Sequence, residues 1–342
     1  MVNTIISNTC MHFCPFYEKF RLGLIANNMS KVTILIPTYN QSKYLPQAIE
    51  SALAQDYPDI EVLVIDDGSV DDTQNIIDRY KSDPRFRYFR NPINLGRVGN
   101  YQHGLFDCAG GDYVLNLDGD DWLSDNQYIS DAVKLLDQHP EVGFVMAETD
   151  VFSEKEGLRY SKGNRHQKLG IIDGMEYIND LCFNRVVFAH LAAVFRRDVA
   201  ISLNFYNIDS TWTDGISFIR MACKYKVALV SRSVGVWRLH DKNESRKFFE
   251  QTSPKDIFRD LFLVVGECNF LSKDAIDSCL YRDTYSYFAW AAKSGRISKI
   301  IEMSRYLHVY YPEFLFRNAF RLMRELIFGL LLFIPKRLRS HW

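Results

Sequence analysis

Several devices for holding phosphate are missing from this sequence. No Gly-x-x-x-x-Gly-Lys-[Ser/Thr] loop occurs in its 342 residues, and the turn after the first strand-like run, Pro37-Thr38-Tyr39-Asn40, holds no glycine. P-loop chemistry and a glycine-fingerprint dinucleotide site are therefore excluded. A dominant charge is missing too. With 41 basic side chains against 42 acidic ones, no field of one sign argues for nucleic acid as a partner. The seven cysteines (Cys10, Cys14, Cys108, Cys182, Cys223, Cys268 and Cys279) are odd in number and scattered. They are unlike a disulfide framework and fit a reducing cytosol. Cys10-Met11-His12-Phe13-Cys14 has no second ligand pair to make it a zinc knuckle. Residues 1–28 lack both a secretory signal and a clear periodicity, and read as a dispensable leader. No internal repeat and no low-complexity tract interrupts the rest.

Alternation is what the chain does have. A strand at 32–36 leads to a helix near 44–55, where Leu45, Ala48, Ile49, Ala52 and Leu53 form one stripe. Strand 61–65, a helix near 72–81, a strand near 86–89, a helix near 97–107 and strand 112–117 follow. A helix near 126–138 and strand 142–147 complete the run. Such a chain folds as α/β, with a mostly parallel sheet flanked by helices. Beyond Asp150 the pattern is less regular. It predicts a helix near 173–182, an apolar strand from Val186 to Phe195, a helix over 214–224 and a strand over 227–237. From about Ser253 onward it is helical.

Two of these strands end on aspartates. Asp66-Asp67-Gly68-Ser69 follows Glu61-Val62-Leu63-Val64-Ile65, and Asp118-Gly119-Asp120-Asp121 follows Tyr113-Val114-Leu115-Asn116-Leu117. Open α/β sheets bind ligands at the carboxyl edge of their strands. An Asp-x-Asp there suits Mg²⁺ or Mn²⁺, because hard oxygens two residues apart can converge on one cation. Solvated Asp-Gly turns are the plain alternative. At the first turn, Tyr39 can stack on a base, small polar groups can hydrogen-bond it, and Asp67 can accept from an imide N–H.

Val32 through Asn40, the Asp66-Asp67-Gly68-Ser69 turn, Asn94-Leu95-Gly96-Arg97 through Asn100, and Leu117-Asp118-Gly119-Asp120-Asp121 together resemble the family 2 glycosyltransferases of the GT-A fold. The resemblance covers residues 31–150 and extends, more weakly, to about 245. It implies that Asp67 contacts the nucleobase within a nucleotide site that includes Pro37, Thr38 and Tyr39. It further implies that Asp118 meets ribose or sugar and that Asp120 holds the metal. Thr211-Trp212-Thr213-Asp214-Gly215 matches the segment in which family members carry a general base, here Asp214. An acceptor hydroxyl attacking an anomeric carbon must lose its proton, and a carboxylate within reach can take it. A helix N-cap is the alternative role for Asp214. Val236-Trp237-Arg238-Leu239-His240 resembles the family's Arg-x-His segment, which makes His240 a second metal ligand and sets Arg238 or Lys242 toward the diphosphate. A purely structural His240 is the alternative. Arg97 is assigned to the donor as well, although many members carry Ala-Arg-Asn where this chain reads Val98-Gly99-Asn100. His190 falls either near the acceptor or in the core.

The resemblance implies metal-dependent, inverting transfer from a nucleotide-diphosphate sugar to a hydroxyl of a saccharide or lipid-linked acceptor, in surface polysaccharide synthesis on the cytoplasmic side. The Gln-x-x-Arg-Trp signature of processive members is absent, so single addition is expected. A sugar-nucleotide nucleotidyltransferase and a catalytically silent scaffold stay open. The expected organisation is a leader (1–28), a nucleotide-sugar-binding half (29–150), an acceptor half (151–250) and a helical C-terminal region (251–342). Leu326 to Ile334 is an apolar run of nine residues ended by Pro335, against the ~20 a bilayer span needs. Arg317, Arg321, Arg324, Lys336, Arg337 and Arg339 flank it, with Glu325 the single acid. Peripheral contact of residues 316–342 with the inner face of the cell membrane is expected. A core helix packed on the catalytic domain is the alternative.

Overall fold

The computed structural model describes residues 29–161, 169–208, 210, 212–243, 253–267 and 272–332. The expected leader lies outside the described residues. The chain runs β1 (Val32–Thr38), α1 (Leu45–Leu53), β2 (Ile60–Asp66), α2 (Thr73–Asp78), β3 (Phe86–Arg90), α3 (Gly96–His103), a π-helical turn (Gly104–Cys108) and β4 (Tyr113–Asn116). Next come β5 (Trp122–Leu123), α4 (Tyr128–Gln138), β6 (Val142–Ser153), β7 (Leu158–Ser161), β8 (Gly170–Ile172), α5 (Gly174–Cys182) and a 3₁₀ turn (His190–Ala192). β9 (Ala193–Arg196), α6 (Arg197–Ser202), α7 (Thr213–Ala222), β10 (Lys226–Leu239), α8 (Pro254–Glu267), α9 (Lys273–Lys293), α10 (Ile297–Tyr310) and α11 (Pro312–Leu332) complete it.

One mixed sheet, mostly parallel, joins the strands in the order β3-β2-β1-β4-β9-β6-β10-β5, with β7 beside β6 and β8 beside β10. β1, β2, β3 and β4 run parallel, as do β6 and β10. β9 is antiparallel to both β4 and β6 and welds the two parallel blocks together. Alternate side chains of β1 feed opposite layers, as a period of two requires. Ile34 and Ile36 pack with Leu45, Ile49, Tyr128 and Ile129, while Leu35 packs with Leu63, Tyr101 and Phe144. Helices thus cover both faces, and β1 and β2 are buried along their whole length.

Two expectations need correction. The apolar stretch from Val186 to Phe195 is not one strand, because only Ala193–Arg196 enters the sheet. His190 begins a 3₁₀ turn instead, and its ring is drawn to buried polar partners. β6 runs on to Ser153, beyond the expected end at 147, because β10 pairs with it to Leu239. Cys108, Cys182 and Cys279 are buried free thiols. The C-terminal helices share the core beneath the sheet: Phe258, Leu280, Tyr287, Leu307 and Phe314 join Tyr177 and Phe218.

Candidate active site

The end of β1 holds both acidic turns. Asp67 N donates to Thr38 O at 2.9 Å and Gly119 N donates to Pro37 O at 3.2 Å. A Cβ on Gly119 would lie 2.6 Å from Gln41 Oε1 and 3.1 Å from Thr38 Oγ1, so a side chain there would displace Gln41 and crowd the end of β1. Pro37 and Thr38 therefore contribute their carbonyls as scaffold. Tyr39, 48% exposed, is the side chain left at the surface.

Asp67 is 3% exposed. Its Oδ1 accepts from Leu95 N at 2.8 Å and Asn91 Nδ2 at 2.9 Å, and its Oδ2 accepts from Gly96 N at 2.9 Å. The carboxylate thus ties down the start of α3, where Gly96 has a φ of +76°, and one lone pair of Oδ2 stays free for a base N–H. Asp66 is turned inward, to Ser69 N and Tyr88 Oη, both at 2.8 Å.

At the second turn, Tyr101 Oη donates to Asp118 Oδ1 at 2.7 Å. Burial, then the charge of Asp120, raises the Asp118 carboxyl to about 6, with the Tyr101 bond opposing both. Asp121 is pushed well above the usual range by burial and the same neighbouring charges. Its Oδ1 accepts from Arg238 N at 2.8 Å. Asp118 and Asp121 are thus short of compensating charge.

Asp120 Oδ2 lies 2.8 Å from His240 Nε2 and 3.3 Å from Asn243 Nδ2. His240 stacks on Tyr44 at 4.7 Å. Its Nδ1 accepts from Lys242 N at 3.1 Å, so the ring proton sits on Nε2 and points at Asp120. Asp120 suits a hard divalent cation as it stands. His240 suits one only after its Nε2 proton has left and the Lys242 amide has turned away, because a metal-bound imidazole carries its proton on the other nitrogen. Among the described residues no group of three or more His, Cys, Asp or Glu is gathered for a metal. Arg238 is 8% exposed. It donates to Asp120 O at 2.8 Å and to Gln47 Oε1 at 2.5 Å, beneath the rings of Tyr44 and Trp122. It is committed to the scaffold, which leaves the exposed Lys242 as the basic residue of that segment for a diphosphate.

Asp214 stands in the first turn of α7, but Trp212 occupies the N-cap position, so the capping alternative fails. Its Oδ1 is buried without a hydrogen-bond partner, and its Oδ2 lies 3.8 Å from His190 Nδ1. The Arg97 guanidinium donates to Ser210 O at 2.9 Å, lies over the Tyr101 ring and feels the charges of both Asp118 and Asp214. The structure thus groups Asp118, Arg97 and Asp214 in one cluster and Asp120 with His240 beside it. Sequence reasoning passed over Tyr101, Tyr206, Asn116 and Tyr44. Asn116 carried a signal, as the polar break in an apolar strand; the tyrosines carried none.

The Glycosyl transferase family 2 model matches residues 33–203, half of the 342-residue chain. GalNAc(5)-diNAcBac-PP-undecaprenol beta-1,3-glucosyltransferase of Campylobacter jejuni is 37% identical over 131 residues, covering 38% of this chain and 40% of that enzyme. Poly(ribitol-phosphate) beta-N-acetylglucosaminyltransferase TarS of Staphylococcus aureus is 32% identical over 113 residues, covering 32% of this chain and 20% of that one. The match thus spans two fifths or less of these relatives. Among solved structures, TarS 1–349 of S. aureus in complex with UDP is similar with a TM-score of 0.57 at 19% identity, covering 78% of this chain and 74% of that one. Mannosyltransferase PcManGT from Pyrobaculum calidifontis, in complex with GDP-Man and Mn²⁺, gives a TM-score of 0.53 at 18% identity and covers 88% and 86%. These likenesses show the GT-A fold. By the family match, the chain belongs to glycosyl transferase family 2.

Proposed function

We propose that this chain is a metal-dependent, inverting, non-processive glycosyltransferase that moves a sugar from a nucleotide-diphosphate sugar to a hydroxyl of a saccharide or lipid-linked acceptor in surface polysaccharide synthesis. The observation that carries the reading is the Asp214 carboxylate. It has a buried oxygen with no partner in the same cluster as Asp118. In this reading Tyr39 stacks on the base, Asp67 accepts from its N–H, Asp118 holds ribose or sugar, and Arg97 faces the donor. Asp120 and His240 would hold Mg²⁺ or Mn²⁺, which as a Lewis acid stabilises the leaving diphosphate. The acceptor oxygen forms its bond to the anomeric carbon as the carbon–phosphate oxygen bond breaks. The hydroxyl proton passes to Asp214, and the nucleoside diphosphate leaves with the bonding pair. One displacement inverts the centre. The names of the relatives, which include undecaprenol-linked and polymeric acceptors, support the acceptor class.

Peripheral contact with the inner face of the cell membrane through residues 316–342 belongs to the same reading. No described helix is long and apolar enough to cross a membrane. α11 packs Phe314 and Leu322 inward and leaves Phe316 88% and Phe320 80% exposed, so one helix supports both a core face and a lipid-facing one. The test is release of nucleoside diphosphate from a panel of UDP- and GDP-sugars, with Mn²⁺ or EDTA, in wild type and Asp214→Asn. Turnover that needs Mn²⁺ and Asp214 is expected. Turnover undiminished in EDTA would end the metal assignment, and an active Asp214→Asn would end the base assignment.

A further inference from the structure

Behind Asp214 lies a buried polar group that no step above uses. Asn116 is 1% exposed in the middle of the sheet. Its Nδ2 donates to Tyr206 Oη at 2.6 Å and lies 2.9 Å from His190 Nε2. Tyr206 Oη lies 2.9 Å from the same ring nitrogen. An amide nitrogen only donates. His190 Nε2 is therefore the acceptor, and the single ring proton sits on Nδ1, which faces Asp214 Oδ2 at 3.8 Å. The reversed Asn116 amide would move that proton to Nε2 and leave a bare Nδ1 lone pair against a carboxylate. The first arrangement leaves Asn116 Oδ1 buried without a partner, but it turns an N–H toward the Asp214 carboxylate, and that charge selects it. Rings on several sides hold the imidazole in place: Tyr101 meets it edge-on at 5.4 Å and Phe218 at 6.0 Å. Burial also keeps it neutral, lowering it to about 4 although Asp214 pulls the other way.

We infer that His190 is a positioning residue for the general base, fixed by Asn116 and Tyr206 so that its Nδ1–H faces Asp214 Oδ2 and holds the carboxylate in place for the acceptor hydroxyl. The inference rests on the reading of Asp214 as base. At 3.8 Å the contact is longer than a hydrogen bond. Bonds of this kind are often long in free enzymes and tighten when substrate binds. The arrangement accounts for two facts together: a buried His–Tyr–Asn cluster inside an otherwise apolar core, and a carboxylate with one oxygen left bare.

Two measurements on the full chain test it. Long-range ¹H–¹⁵N spectra of histidine-labelled protein, with the His190 signals identified by their loss in His190→Asn, should show the Nδ1–H tautomer at pH 7. An Nε2–H tautomer or a charged ring would overturn the inference without touching the assignment of Asp214. Nucleoside diphosphate release from UDP-glucose and UDP-N-acetylglucosamine supplies the second. His190→Leu should lower kcat ~10–100-fold, the cost usual for a lost outer partner, with KM for the donor unchanged. His190→Asn, which can place an N–H near the Nδ1 position, should recover most of the loss. Full kcat in His190→Leu beside an inactive Asp214→Asn sinks this inference alone. An active Asp214→Asn sinks the base reading beneath it. Should the Leu variant not fold, Tyr206→Phe takes its place: a shift of the His190 tautomer or a fall in kcat supports the inference, and neither change overturns it.

Discussion

Asp120 meets two donors, His240 and Asn243, whereas Asp214 Oδ1 meets none, and the contrast sets how each answers substitution. Asp214→Asn should keep the thermal stability and lose roughly 10²–10⁴-fold in kcat, read as nucleoside diphosphate release, with donor affinity nearly unchanged. Asp120→Ala should lose transfer and stability together. A strand-end aspartate reads from sequence as a surface group, but Asp120 is 8% exposed, and its loss strands a buried imidazole N–H at a cost of about 1–3 kcal/mol. A denaturant titration distinguishes the two variants. Glu61 offers a cleaner pH effect away from the site. Burial acts to raise its carboxyl, but hydrogen bonds from Thr33 and Gly110, both at 2.6 Å, and ion pairs with Lys31 and Arg87 outweigh it and lower the group to about 2. A depressed folded pKa stabilises above the unfolded value near 4.5, and that contribution is lost as the pH falls through about 2. Glu61→Gln should remove on the order of 2–3 kcal/mol at neutral pH, after screening of the part-exposed Lys31 and Arg87, and flatten the acid limb between these values. Equal acid limbs in variant and wild type would count against the assignment.

Among the elements, legibility followed periodicity. β1 and β2 were readable because both their faces are buried and their apolar runs are unbroken, and α1 because its stripe is regular. β9 was not. Four residues between a 3₁₀ turn and α6 carry too short a pattern, and what makes them a strand is the pair of edges, β4 and β6, waiting on either side. At the site, the acidic turns were legible because strand ends and glycines mark them. The tilt of His190 toward Asp214 was not, because three residues distant in sequence, Asn116, Tyr206 and Asp214, determine it jointly. α11 was half legible. Its basic residues were expected at a lipid surface, yet Arg317 bonds Asp277 at 2.9 Å and Arg321 lies over Tyr281 at 3.9 Å. Phe316, Phe320 and Met323, on one exposed stripe, carry the membrane proposal instead. Phe316→Ser with Phe320→Ser should cut co-sedimentation with anionic vesicles severalfold and leave the melting temperature within a few degrees. Unchanged sedimentation would remove the membrane from the proposal.

At the scale of the molecule, the expected division into halves at residue 150 crosses a single sheet. β6 straddles the boundary, β10 returns to cap β5 (122–123), and Arg238 N reaches back to Asp121. The free edge of β4 is closed by β9, on the order of eighty residues later in the chain, and such distant pairings are slow to form. During synthesis from the N-terminus, β1 to β4 therefore emerge with one edge open and wait for β9 to seal them. An unpaired, apolar edge of this kind recruits other chains. A fragment of residues 29–150 should accordingly elute as aggregate in size-exclusion chromatography, where the full chain elutes as a defined species. A stable, monodisperse fragment would mean that the first half matures alone. Otherwise the ribosome delivers this chain as an obligate whole, and nothing short of β10 brings Asp120 and His240 into register.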